Sequence, residues 1–422
     1  MTSFDLSAVP APVPLRLPVI VERVLPNGLK VVAARRGGTA LAELRINIPF
    51  AHADPATAVL LSGAIAADQQ VLDRTRMIGG TLTASVDADF LRISGSVPVE
   101  SLDRLLGLAA EVLLAPRYRA AEFDSVVESM TQATAAMLAS PANRALEAIN
   151  HRMFGEHPYG LPMPRPAALR SVSRSAVASL HRERIFATGT SLVVAGGFDL
   201  ESVLSQVEVL WGAWPPGPGA RRMKPVPAWE PGSMIVDEPG SGQSLLRATM
   251  TAPAPHAPDY TALAVATLVF GGYFSSRLVQ NLREYRGISY SPRCLLLHTR
   301  ETDLVVVSVD VTTPNTRVAD REITAELRGL VENRVTGDEL DRTRRYAAGS
   351  LRRRLSTSSG LVSALCELDL HQLTTDWLRD YDSRLSALDP EQVATAADRY
   401  LRPDKALSVW LCDAAGTFPP CS

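Results

Sequence analysis

Two hydrophobic periods alternate along this chain, and the alternation is written twice. In the first half, Leu29–Ala34 and Leu41–Ile48 are apolar runs of strand length, the second alternating around Arg45 and Asn47. Residues 81–97 alternate with period two and predict a long strand or hairpin. Residues 56–78, 100–114 and 120–154 carry the wider apolar spacing of helices. An apolar strand over 191–196 closes the unit, and Asp199 supplies an N-cap for another helix. This order of strands and helices predicts an α+β fold, with helices packed on a mainly antiparallel sheet.

The pattern then repeats. Arg117–Val127 (RYRAAEFDSVV) is similar to Arg334–Arg344 (RVTGDELDRTR) at an offset of 217, and Val177–Ile185 matches Val393–Leu401 at 216. A nearly constant offset over such a distance predicts two similar α/β-sandwich domains. Between them, residues 211–232 hold six prolines and several glycines, a composition that sustains neither helix nor sheet and predicts a linker. The expected organisation is an extended arm over 1–20, a first domain over 21–212, a linker over 213–232 and a second domain over 233–422.

Composition narrows the picture. A chain of 422 residues that is 46% hydrophobic can bury more than one core. With 43 basic against 45 acidic residues, no overall field favours nucleic acid or an anionic membrane as partner. Cys294, Cys366, Cys412 and Cys421 show no C-x-x-C pair and are expected to be free thiols, which favours the cytoplasm. The N-terminus has no basic segment followed by an apolar one, and no run of about 18 apolar residues stands out, so neither export nor membrane insertion is expected. Pro10, Pro12, Pro14 and Pro18 favour an extended arm.

Several segments together resemble pitrilysin/insulinase-type zinc metallopeptidases, the inverzincins, over almost the whole chain. Val24–Leu29 (VLPNGL) resembles the opening strand turn of that family's domains, Phe154–Gly160 (FGEHPYG) their mid-domain loop, and Val193–Asp199 (VVAGGFD) their closing strand. Residues 270–290 (FGGYFSSRLVQNLREYRGISY) resemble a stretch of the family's C-terminal half. The family's zinc motif, His-x-x-Glu-His, is absent, and no two histidines lie four apart. Alignment on the family's zinc helix puts Val59, Ser62 and Gly63 at the His, Glu and His positions, with the third ligand near Ala133. These side chains do not offer the nitrogen, sulfur or carboxylate donors that zinc needs. His52, His151, His157 and His181 are scattered, and His151 with Glu147 forms only a chance i, i+4 pair. The segment from Val59 to Gly79 and Gly80 is also shorter than in the family's active members.

The resemblance implies that Arg283 and Tyr290 are the Arg/Tyr pair that approaches the zinc site from the C-terminal domain and contacts substrate. A guanidinium and a phenol suit a peptide carbonyl or the oxyanion formed from it. Gly271 and Gly272, with Ser275, Ser276 and Arg277, mark a helix break where backbone can approach a peptide. Gly240-Ser-Gly242 lacks the lysine and the context of a phosphate loop, and is short for a glycine-rich substrate loop. Arg342, Arg344, Arg345, Arg352, Arg353 and Arg354 crowd one helical stretch, to be solvated, paired with acids, or turned to an acidic peptide or subunit. By resemblance, the expected role is that of a noncatalytic subunit, inactive alone. It would bind no metal itself and would complete a peptide chamber with a zinc-bearing, His-x-x-Glu-His partner in a heterodimer, for peptide fragments or a peptide precursor. The alternative is a structural core subunit without a catalytic contribution.

Overall fold

The computed structural model describes residues 15–51, 53–218 and 223–417. Two mixed sheets organise the chain. The first contains β1 (Val19–Val24), β2 (Lys30–Arg35), β3 (Leu41–Pro49), β4 (Thr81–Val86), β5 (Phe90–Pro98) and β6 (Ser191–Gly196), in the order β1-β2-β6-β3-β5-β4. The second contains β7 (Gly232–Asp237), β8 (Gln243–Thr251), β9 (Arg293–His298), β10 (Asp303–Thr312) and β11 (Leu407–Cys412), in the order β7-β11-β8-β10-β9. Without the edge strand β1 the two orders are the same. Each sheet has one parallel pair, β2 with β6 or β7 with β11, followed by antiparallel pairs. The α+β duplication expected from the sequence is one topology used twice.

The first half carries α1 (Pro55–Ala66), α2 (Gln69–Met77), α3 (Leu102–Leu114), α4 (Ala120–Ala139), α5 (Pro141–Phe154), α6 (Pro166–Ser171), α7 (Arg174–Arg184) and α8 (Leu200–Trp211). The helix expected over 56–78 is two helices, because Asp68 accepts a hydrogen bond from the Val71 amide and starts α2 afresh. In the second half, α9 (Tyr260–Thr267) continues through a wide turn at Leu268–Gly272, and α10 (Arg277–Val279) through another at Gln280–Tyr285. Then follow α11 (Thr316–Glu332), α12 (Gly337–Leu355), α13 (Ser358–Leu370), α14 (Asp376–Arg379), α15 (Tyr381–Ala387) and α16 (Pro390–Tyr400). Of the arm expected over 1–20, residues 1–14 lie outside the described residues, and Val19 already belongs to β1. The proline-rich stretch after α8 forms no helix or strand among its described residues, yet Trp214 and Met223 are buried. Asn27, in the β1–β2 turn, ties it down by donating to the Trp211 and Trp214 carbonyls at 2.8 and 3.1 Å.

Both faces of each sheet's centre are buried, which is why β6 reads as a continuous apolar run rather than an alternating one. Val31, Ala33, Leu192 and Val194 face their own half's helices, together with Leu105, Val177 and Val207. Val32, Ala34, Val193 and Ala195 face the other way, onto Leu361, Val362, Leu365 and Leu368 of α13, a helix of the second half. The exchange is reciprocal. Ile149, Met153 and Phe154 of α5, a helix of the first half, pack against Leu304, Leu407 and Val409 of the second sheet. Polar ties follow the same crossing: Arg144 pairs with Glu238 at 2.6 Å, Lys30 with Asp369 at 2.9 Å, and Arg45 donates to Ser363 at 2.8 Å.

The expectation that no segment has the length and apolarity of a membrane helix is corrected at Tyr260–Tyr285, which has both. Its apolarity serves the second core. Leu263, Val269, Phe270, Leu278 and Leu282 are buried there, and the stretch is interrupted by the turn at residues 273–276.

Leu361 is fully buried in the exchanged contact, so Leu361→Ala is expected to destabilise the whole chain by about 2–5 kcal/mol. Urea denaturation followed by circular dichroism checks this, and a loss below about 1 kcal/mol would contradict the packing account. A second expectation concerns pH. His181 is buried, with Nε2 at 2.8 Å from the Leu113 carbonyl and Nδ1 bonded to the Tyr118 hydroxyl. Burial holds its pKa below the ordinary value, so the unfolded chain binds a proton that the fold refuses. Stability from this group is complete above about pH 6.5 and falls as the pH drops below it. His181→Gln should flatten that acid-side fall in the urea midpoint; an unchanged slope would assign it to other groups.

Candidate functional site

The first candidate position is α1, started by Asp54, which accepts from the Thr57 amide at 2.8 Å. Residues 59 and 63 lie one turn apart on it. Ser62 is buried and its hydroxyl donates to the Val59 carbonyl at 2.8 Å. Gly63 is where α1 meets α4: a Cβ there would stand 2.7 Å from Val126 Cγ1 and 3.1 Å from Met130 Cε. A histidine at position 63 would therefore push the two helices apart. Val59 instead lines an apolar cleft of about 190 Å³ with Phe50, Leu161, Pro162 and Met163. Ala133, the third position, is an exposed residue of α4. The residues present do not fit zinc. The connection from β3 to β4 (residues 50–80) is shorter than its counterpart from β8 to β9 (residues 252–292).

That longer counterpart carries Arg283 and Tyr290. Arg283 lies on the wide turn after α10, with its guanidinium carbon 4.7 Å from the centroid of the Tyr290 ring and 5.0 Å from that of Phe274. Its Nε is 3.3 Å from Glu284. Gly287 (φ 63°) turns the chain after the helix, and the Ser289 hydroxyl donates to the Asp310 carbonyl at 2.8 Å, anchoring the segment beside Tyr290. Tyr290 is 80% exposed and Phe274 59%. The result is a surface unit in which two rings hold one guanidinium, with its donor edges and the Tyr290 hydroxyl free of carboxylates other than Glu284 among the described residues.

The neighbouring residues are committed to structure. Gly271 is buried, and a Cβ there would stand 2.9 Å from Cys294 Cβ, so the close approach is to β9. A Cβ at Gly272 would meet Leu268 Cδ2 at 2.7 Å. Ser276 is buried, while Ser275 is exposed. Arg277 pairs with Glu339 at 2.7 and 2.8 Å and donates to the Gly329 and Arg334 carbonyls, clasping α10 to α11 and α12. In the arginine-rich α12, Arg344 pairs with Asp341, Arg352 with Asp382 and Arg354 with Glu367.

Three groups that sequence spacing did not connect also meet: His298, Asp303 and His371, with one donor atom of each within 4.8 Å of the others. Of the histidines weighed from the sequence, His157 donates to or accepts from its neighbours at the Lys224 carbonyl and the Tyr159 amide, His181 is in the core, and His52 lies outside the described residues.

Residues 171–346 match the family model of the Peptidase M16 inactive domain. An uncharacterised zinc protease of Mycobacterium leprae is 23% identical over 294 residues, a match that spans 64% of this chain and 64% of that protein. Among solved structures, the M16 inactive domain from Pseudomonas fluorescens superposes with a TM-score of 0.85 at 18% identity, covering 93% of this chain and 98% of that one. A protease from Helicobacter pylori gives 0.83 at 17%, covering 94% and 100%. The periplasmic protease PqqL of Escherichia coli gives 0.77 at 13%, covering 93% of this chain but 45% of that one. The inactive-domain match over residues 171–346, which include the Arg283 segment, and the twice-used topology make this chain similar to M16 peptidases, in sequence over that stretch and in fold over almost the whole chain.

Proposed function

We propose that this chain is a noncatalytic M16 subunit that binds peptide and completes the active chamber of a zinc-bearing partner. The observation that carries the reading is an asymmetry between its halves. In the first, the zinc positions are filled by Val59, Ser62 and a Gly63 that has no room for a side chain. In the second, Arg283 is held between Phe274 and an exposed Tyr290. The two rings fix the guanidinium at the surface, where its remaining donors can meet a group outside the chain. Two further facts support pairing. Members of the M16 family often work in pairs, and this chain matches only 45% of the PqqL chain.

In this reading the partner supplies the catalytic zinc and this chain supplies donors. The Arg283 guanidinium and Tyr290 hydroxyl address a carbonyl oxygen of a bound peptide, and their preset geometry favours the state in which that oxygen carries negative charge. Stacking on the two rings, with Nε paired to Glu284 at 3.3 Å, leaves the terminal guanidinium nitrogens to donate. The peptide is a fragment or precursor cleaved in the cytoplasm, a setting supported by the free thiols of Cys294, Cys366 and Cys412.

Tyr290→Phe in the assembled complex should leave assembly and folding intact and lower turnover by about 100-fold or more, with a smaller change in KM. Arg283→Ala should lower turnover and raise KM, because it removes packing as well as charge. Steady-state kinetics on a fluorogenic peptide decide it, and wild-type turnover for Tyr290→Phe would leave this chain a structural core subunit.

A further inference from the structure

We propose that His298, Asp303 and His371 form a binding site for a divalent late first-row metal ion such as Zn²⁺, between the β9–β10 hairpin and the end of α13. His298 closes β9 and Asp303 opens β10, and the two are direct cross-strand partners. The four-residue turn between them is fixed by Thr299, whose amide and hydroxyl both donate to the Thr302 carbonyl, at 3.0 and 2.7 Å. His371 follows the last turn of α13, and its ring packs edge-on against that of His298 at 5.1 Å between centroids.

The donor chemistry is specific. His298 Nδ1 is 2.6 Å from Asp303 Oδ1, and its Nε2 is 3.0 Å from the Tyr260 hydroxyl. An ion bound at Nδ1 would take the place of the proton shared with Asp303, and the Tyr260 hydroxyl would accept a hydrogen bond from Nε2, the outer hydrogen bond that orients metal-binding histidines. His371 Nε2 is buried without a hydrogen-bond partner. An imidazole nitrogen buried in that state is costly unless something occupies it. Donor atoms at most 4.8 Å apart need to close by up to about 1.5 Å to reach the spacing of roughly 3.3 Å around a tetrahedral ion. His371 Nε2 has no hydrogen bond to break in doing so. Two imidazoles and a carboxylate select zinc and its first-row neighbours over calcium or magnesium. The adjoining cavity, about 330 Å³ and lined by Tyr260, Glu367 and Trp377, leaves room for a water ligand. Arg354, which also faces it, is neutralised by Glu367.

The site is remote in sequence from Val59, Ser62 and Gly63 and draws on none of them. It also joins the second sheet's hairpin to the helix that covers the first sheet, so a bound ion would brace the two halves. The inference does not depend on the subunit reading.

The test is a titration of the chelator-treated full chain with Co²⁺ followed by visible absorption, repeated with Zn²⁺ by calorimetry. One equivalent should bind in the micromolar range or tighter, with the absorption of a low-coordinate Co²⁺ site and a raised Tm. His371→Ala and His298→Ala should each weaken binding at least tenfold, and His371→Gln should do the same while keeping a polar side chain in place. His151→Ala, at an exposed histidine elsewhere, should bind as wild type. Absence of saturable binding would overturn the proposal. So would binding that the His371 variants, shown to be folded by circular dichroism, leave unchanged.

Discussion

The structure depends on two helices lying on the wrong sheets. α13 covers the sheet of the first half and α5 the sheet of the second, so each half's outer sheet face is kept dry by the other half. Without that exchange, Val32, Val193 and Ala195 on one side and Leu304, Leu407 and Val409 on the other would be contiguous exposed apolar surface, which favours association rather than a stable single chain. Burying one such leucine is worth about 1.5–3 kcal/mol, and the face holds several residues of that kind. The Arg144–Glu238 and Lys30–Asp369 pairs are partly exposed and add orientation more than energy.

The same exchange constrains the functional surface. Because the halves are locked together, α1 with its lost zinc positions and the Arg283 segment stand in one fixed relation. A partner with the same duplicated topology would meet two unlike faces. One is apolar and closed by Met163 and its prolines; the other carries a guanidinium between two rings.

Much of this was legible in the sequence, and what was not has physical reasons. Strands β2 to β6 of the first sheet, including the hairpin at residues 81–97, and the Asp199 cap were visible, because period and capping are local signals; the second sheet was expected only through the repeat. The missing zinc ligands were visible because a ligand set is a list of residue types. The resemblance put Gly63 at a ligand position but did not show it as a packing point, since the contact with Val126 and Met130 comes from another helix. Gly271, expected to face a peptide, faces Cys294 for the same reason. The apolar stretch at Tyr260–Tyr285 was undervalued because its polar interruption hides a buried core helix. No spacing rule joins His298 and Asp303 to His371, which only tertiary packing of α13 brings near.

The central claim is that this chain completes a peptidase rather than being one. The direct measurement is peptide cleavage by the chain alone, by a His-x-x-Glu-His M16 protein from the same genome alone, and by an equimolar mixture at micromolar concentration. The account predicts negligible turnover from either chain alone and zinc-dependent turnover from the mixture, rising to a maximum at one-to-one stoichiometry. Full activity from the zinc-bearing protein alone, unchanged when this chain is added, would contradict it.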